Sequence, residues 1–319
     1  MMPTSPDVET AELSSSGARA MEQPVIIAPV DPAERLPVVR TIHLIDVRYA
    51  LRSGLDDFRA MPTHVVFLCV LYPLVGLLLS RALFVADLVP LLYPLAAGFA
   101  LIGPFAALGL YELSRRRELG LETTWTHAFD VVHSPSFGAI LALGLLLLVI
   151  FVFWIVCAQA IYVANFGDRT FTSLADFAEA VLATPEGHNL IIVGNLVGFG
   201  FAVLAASLSV VSFPLLLDRN VGFAVAVYTS LRAVFKNPVA MPVWGFIVAS
   251  LLLIGSLPFF FGLAVVLPVL GHSTWHLYRK LIEPDPRPRP QFRPRPRGRR
   301  YAAEFPASLF FPASRDNGQ

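Results

Sequence analysis

Apolar positions along this chain fall into two patterns. In six runs, roughly 64–84, 89–112, 136–163, 190–217, 239–256 and 258–278, apolar side chains face every direction for close to the ~20 residues that a bilayer crossing needs. Between some of these runs lie short stretches with apolar residues only at every third or fourth position, which is the spacing of a helix with one apolar face. The third and fourth runs exceed the width of a bilayer and should tilt or project from it. The last two are parted by Gly255-Ser256-Leu257-Pro258, and that Gly and Pro together exclude one continuous helix. The predicted fold class is an all-α polytopic membrane protein with six transmembrane helices.

The amphipathic stretches share a device. DVRYALRSGLDDFRAMP, TTWTHAFDVVHSP and FAVAVYTSLRAVFKNP end at Pro62, Pro135 and Pro238, and each proline opens or immediately precedes an apolar run. Leu55, Ala128 and Leu231 stand seven residues before these prolines, and Phe58, Val131 and Val234 stand four before, so each stretch carries one apolar stripe. A short helix lying in the interface, ended by a proline that turns the chain into the membrane, accounts for the pattern. Proline is tolerated at such a joint because the first turn of the next helix lacks a partner for the missing N–H. The second halves also correspond: seven residues after Pro104 and Pro268 come Tyr111 and Trp275, followed by the basic pairs Arg115-Arg116 and Arg279-Lys280. Three pseudo-repeated hairpins, 41–117, 122–219 and 222–280, are expected, each preceded by a short cytoplasmic interfacial helix. The middle one diverges, since Arg219 follows Pro214 by only five residues.

Composition agrees with the pattern. Of 319 residues, 55% are hydrophobic and 15% charged, against about 25% charged in soluble domains. The basic residues then orient the chain. Six lie before residue 63, three in 113–135, three in 218–238 and ten in the carboxy-terminal region, leaving only Arg81 and Arg169 for the other face. The positive-inside bias places both termini in the cytoplasm. Residues 1–39 show no cleavable signal peptide and read as a disordered cytoplasmic tail. Residues 40–282 form the membrane domain, and 283–319 a Pro/Arg-rich disordered cytoplasmic tail. Across the membrane, 165–189 is the one sizeable external loop. Ser173 and Asp176 there have capping-box spacing ahead of an apolar face of Leu174, Phe177, Val181 and Leu182, predicting a surface helix. Cys69 and Cys157 lie in apolar runs at different depths, so no bridge between them is expected.

Candidate chemistry is sparse. The middle of every span lacks Asp, Glu, Lys and Arg, which counts against a charged relay at the midplane. Gln159 and Asn195 read as interhelical hydrogen-bonding residues. Gly194, Gly198, Ala202 and Ala206 recur every fourth residue and predict a close helix-packing face, either internal or in a homo-oligomer. His272 and His276 are four apart and could share a metal. No third ligand is fixed by spacing, and Trp275 and Tyr278 beside them suggest an interfacial aromatic belt. The expectation is no metal and no cofactor. Glu112, Arg115, Arg116, Asp218, Arg219, His276 and Arg279 end helices on the cytoplasmic side. They are candidates for a polar cluster that closes the bundle or grips a lipid headgroup. Catalytic residues are not identified, because no nucleophile, phosphate loop or metal box accompanies them.

At GLYELSRRRELG, SFPLLLDRNV, LRAVFKNP and GHSTWHLYRKL, residues 40–282 resemble a bacterial family of multi-pass membrane proteins catalogued as domain of unknown function 2189. The resemblance implies a bacterial inner-membrane location and brings no activity. The function expected is binding or organising lipids or membrane partners at the cytoplasmic interface. Anionic headgroups would be met by the seven arginines of residues 284–300, and no nucleic acid is expected. The alternative is a transporter or channel for a small neutral or amphiphilic solute, and an intramembrane enzyme ranks third.

Overall fold

Why the chain bends where it does is clearest around Pro135 and Pro238. The computed structural model describes residues 36–61, 76–77, 93–95, 103–104, 107–169, 171, 173–257 and 262–285. Pro62, Cys69, most of the first and second expected spans, and the tails 1–35 and 286–319 lie outside the described residues. In order, the helices are α1 (Leu44–Ala60), α2 (Leu108–Glu118), a 3-10 helix (Trp125–His133), α3 (Phe137–Phe166), α4 (Leu174–Ala183), α5 (Pro185–Ser209), α6 (Ser212–Asp218), α7 (Phe223–Lys236), α8 (Ala240–Ser256) and α9 (Leu263–Leu281). Among the described residues there is no strand, only an isolated antiparallel bridge between Val39 and Ile282.

Pro135 lies in the turn between the 3-10 helix and α3, and Pro238 in the turn between α7 and α8. Across the second joint the helix axes bend by 101°. Proline stops α7 because it cannot donate to the preceding turn, and the joint is then fixed by Asn237. This side chain is buried; its Nδ2 donates to the carbonyls of Ala233 (2.9 Å) and Arg40 (3.2 Å), and its Oδ1 accepts from Ile42 N at 2.7 Å. Lys236 Nζ adds a bond to the Val39 carbonyl at 2.7 Å, so one joint also anchors the strand-like segment before α1. Asn237→Ala leaves the buried Ile42 N–H without its acceptor and should cost about 1–3 kcal/mol. The check is unfolding in detergent combined with amide exchange at residues 39–43, which should accelerate in the variant.

Among the described residues, two helices are long and apolar enough to cross a membrane, α3 with 30 residues and the continuous α5–α6 stretch Pro185–Asp218 with 34; the bent pair α7 and α8 makes a third if taken as one span. At 1.5 Å per residue, α3 is about 45 Å long against a hydrocarbon core of about 30 Å. Helix α8 has 17 residues, about 26 Å, and the last turns of α9 carry histidines and basic residues, which is why neither qualifies alone. Many large side chains on α3, α5 and α8 face outward, among them Leu145, Phe153, Leu196, Phe199, Phe246 and Leu253. In water that surface would be prohibitive; against lipid tails it is ordinary.

The stripe expected on the amphipathic elements is present but rotated. On α1 the buried line is Val47, Ala50, Gly54 and Asp57, while Leu55 and Phe58 are half-buried. On α7 it is Ala226, Thr229, Ser230 and Ala233, with Leu231 and Val234 half-buried. Small residues are inside because these helices lie very close to their neighbours. Only the middle stretch follows the expected positions, with Ala128 and Val131 buried, and it is wound as a 3-10 helix. Between α3 and α5, Ser173 caps α4 as expected, accepting from Asp176 N at 3.1 Å. Phe177 and Ala180 join Tyr162, Phe166, Phe171 and Leu190 in a small apolar cluster. Leu182 corrects the predicted face, being 67% exposed.

The small-residue series on α5 divides. A Cβ on Gly198 would come within 2.9 Å of the Trp154 ring of α3, whereas one on Gly194 would meet nothing within 4 Å among the described residues. Ala202 and Ala206 are exposed, so the contact with α3 runs through Val197, Gly198, Phe201 and Ala205 instead. Asn195 is an interhelical residue, accepting from Tyr93 OH at 2.7 Å and donating to the Ile191 carbonyl. Gln159 is exposed, and Cys157 is a free, half-buried thiol.

Candidate functional site: a buried polar junction on α2

Helix α2, LGLYELSRRRE, begins apolar and ends in three consecutive arginines, whose charge suits the carboxy-terminal end of a helix dipole. Its neighbours are the 3-10 helix, α6 and α9, and α1 reaches it through polar contacts. Nearly every charge on α2 is spent inside the protein. Arg115 clasps Glu112 with two bonds, Nε to Oε2 at 2.7 Å and Nη2 to Oε1 at 2.9 Å, the two-pronged geometry for which a guanidinium is built. Their side chains are 4% and 0% exposed. Arg116 lies 4.0 Å from Glu112 and 3.4 Å from Asp130 of the 3-10 helix. Glu118 accepts from Trp275 Nε1 and Arg279 Nε of α9, both at 3.0 Å.

A second knot joins α1, α2 and α9 at Asp57. Its Oδ2 accepts from Ser114 Oγ at 2.6 Å and from His276 Nε2 at 2.8 Å, and its Oδ1 from Arg117 Nη1 at 2.7 Å. Ser114 Oγ is also 2.6 Å from His272 Nδ1. Because the one hydroxyl proton goes to the carboxylate, the imidazole donates through Nδ1, which fixes its tautomer. Burial pushes the Asp57 carboxyl up, but the hydrogen bonds from His276 and Ser114 and the charge of the two histidines outweigh it, and the net displacement is downward. A carboxyl depressed in this way contributes its full stabilisation above the ordinary aspartate range and loses it as pH falls through the folded value.

The third knot is Asp218 at the end of α6. Its Oδ2 accepts from Tyr278 OH at 2.7 Å and lies 3.5 Å from Arg279 Nη1. Arg219 reaches Asp285 and the Glu283 carbonyl. The seven candidate residues thus occupy three adjoining knots: Glu112, Arg115 and Arg116 in one, His276 in the second, and Asp218, Arg219 and Arg279 in the third. The belt expectation is corrected here. Trp275 and Tyr278 are core residues, fully buried with their polar tips on Glu118 and Asp218, and His272 is buried with them.

Sequence reasoning missed Asp57, Ser114, Glu118 and Asn237. For Asp57 a trace existed: it continues the Val47, Ala50, Gly54 line at helical spacing, a charge on the buried side of an amphipathic helix. Chemically, the arrangement holds helices together. Serine bridges the acid and the imidazole instead of presenting its oxygen outward, with His276 Nε2 turned to Asp57 and His272 Nδ1 to Ser114. Among the described residues no group of three or more ligating side chains could hold a metal ion.

No curated protein and no solved structure matches the chain. Of the four stretches that carry the sequence resemblance, GLYELSRRRELG and most of SFPLLLDRNV lie within residues 91–218, while LRAVFKNP and GHSTWHLYRKL lie beyond them. Residues 91–218, the stretch that holds α2, α3, α5 and α6, match the model of an uncharacterised family described as "Predicted integral membrane protein (DUF2189)".

Proposed function

We propose that this integral membrane protein binds or organises lipids at the cytoplasmic interface of a bacterial inner membrane, with six spans in three hairpins and both termini inside. One observation carries the reading. Each of the three amphipathic elements turns large apolar side chains outward: Leu44, Ile45 and Tyr49 on α1; Trp125, Phe129 and Val132 on the 3-10 helix; Tyr228 and Phe235 on α7, with Val239 following. Single exposed apolar residues need no explanation, but rows on all three elements, Phe235 reaching 78% exposure, suit immersion at the headgroup level. The arginine-rich segment 284–300 begins just beyond α9 and supplies charge for the same leaflet.

Immersion is directly measurable. With Cys69 and Cys157 replaced, a fluorophore on a cysteine at position 129 or 235 should be quenched by lipids brominated near the headgroup. One at position 56, where Asp56 is more than half exposed, should not be. Equal quenching at all three positions, or none at 129 and 235, would remove the interfacial reading.

A further inference from the structure

The helix-end residues that the sequence nominates for headgroup binding neutralise one another inside the protein, whereas α1 keeps exposed cations. We propose that Arg48 and Arg52, with Tyr49 and Lys280 beside them, form a site for the phosphate of an anionic lipid headgroup. This rests on the interfacial placement of α1 proposed above and adds to it a ligand class and the residues that recognise it.

Rotation of α1 about its own axis is not free. Gly54 lies directly against Ser273 of α9, and Asp57 is held by Ser114, Arg117 and His276. The opposite arc, Leu44, Ile45, Arg48, Tyr49 and Arg52, is consequently fixed outward, and all five are exposed. Arg48 and Arg52 are one turn apart, which puts two guanidinium forks on one side of the helix. Among the described residues neither makes an ion pair, whereas Arg115, Arg116, Arg117, Arg219 and Arg279 all do. Lys280 Nζ sits 4.1 Å from the centre of the Tyr49 ring and 3.7 Å from Asp46 Oδ1, placing a third cation at the margin of the arc.

Local acids do not cancel the charge of the two arginines, although Asp46 offsets that of Lys280. Asp46 is engaged by Lys280 and by His43 N, and Asp56 by Arg59 at 3.9 Å. A guanidinium pair matches a phosphate in shape as well as sign. Ile45 and Tyr49, 67% and 53% exposed, flank the arginines with apolar surface, which a lipid would cover and a free phosphate would not. That difference is why the ligand is taken to be a lipid.

The full-length protein in phosphatidylcholine nanodiscs, doped with spin-labelled phosphatidylglycerol or spin-labelled phosphatidylcholine, gives the test. The wild type should immobilise the anionic label preferentially, and Arg48→Gln with Arg52→Gln should reduce that preference by on the order of tenfold. Truncation after residue 285 should leave the part due to α1 in place. Arg48→Lys with Arg52→Lys should retain some of it, since the charge persists without the fork. An unchanged preference in the double glutamine variant overturns the proposal, as does a wild type that does not distinguish the two lipids, a result that needs no variant to fold. Inorganic phosphate competing at low concentration would overturn the lipid assignment in favour of a free anion. Failure here with quenching at 129 and 235 intact leaves the interfacial reading standing; loss of that quenching removes both.

Discussion

Replacing Glu112 with alanine is expected to destabilise the protein by about 3–5 kcal/mol, because it takes from Arg115 the carboxylate that receives two of its hydrogen bonds, in a site where the arginine side chain is 4% exposed. The loss is not the net worth of the pair. Taking two charges out of water costs about as much as their attraction returns, so the intact pair contributes little while a broken one is expensive. Two variants separate these quantities. Glu112→Leu combined with Arg115→Met removes both charges and keeps apolar volume, and it should recover most of the loss. Arg116 limits the recovery, since it also lies within 4.0 Å of Glu112, although it keeps Asp130 at 3.4 Å. Chemical denaturation in a mild detergent reads both. If the single variant unfolds like the wild type, the Glu112–Arg115 pair is not buried as described; if the double variant is no better than the single one, the cost lies in packing and not in the orphaned charge.

The junction explains which parts of this protein could be read from its sequence. Proline acts covalently on its own neighbours, so the joints at Pro135 and Pro238 were legible, as were the Ser173 cap and the extent of α3 to within a few residues; the run expected over 190–217 matches the α5–α6 stretch Pro185–Asp218 and not α5 alone. What decides the buried arc of a helix is the partner, and the partner is distant in sequence. On α1, Leu55 and Phe58 are the apolar residues by composition, yet the helix turns Ala50, Gly54 and Asp57 inward because α9, more than 200 residues later, lies against it. Trp275 and Tyr278 have the composition of an interfacial belt. They are core residues because Glu118 and Asp218 meet their polar tips at 3.0 and 2.7 Å. Likewise Ser114 carries no local mark; only the arrival of Asp57 and His272, 57 positions before it and 158 after, gives its hydroxyl a place.

Gly54→Ala should be damaging out of proportion to its size. An added Cβ would lie 2.0 Å from Ser273 Oγ, 2.5 Å from Ser273 N and 2.7 Å from Ser273 Cα. Rotating the serine side chain relieves only the first of these, so the two helix backbones must separate. Alanine favours a helix over glycine by about 1 kcal/mol, which would make the variant more stable if α1 stood alone. Overpacking against a rigid neighbour costs about 1–3 kcal/mol, sometimes more, and here separation also stretches the bonds that Asp57, one turn along α1, makes to Ser114 and His276. The expected net effect is a loss of about 2–3 kcal/mol with α1 undocked, and Ser273→Gly should not repair it, because the backbone contacts remain. Amide exchange along α1 distinguishes the outcomes. Faster exchange from Val47 to Phe58, with α3 and α5 unaffected, is the expected pattern. Slower exchange, as the helix propensity of alanine would give, would mean that Gly54 does not touch α9 and that Asp57 is not what orients the arginine-bearing arc of α1.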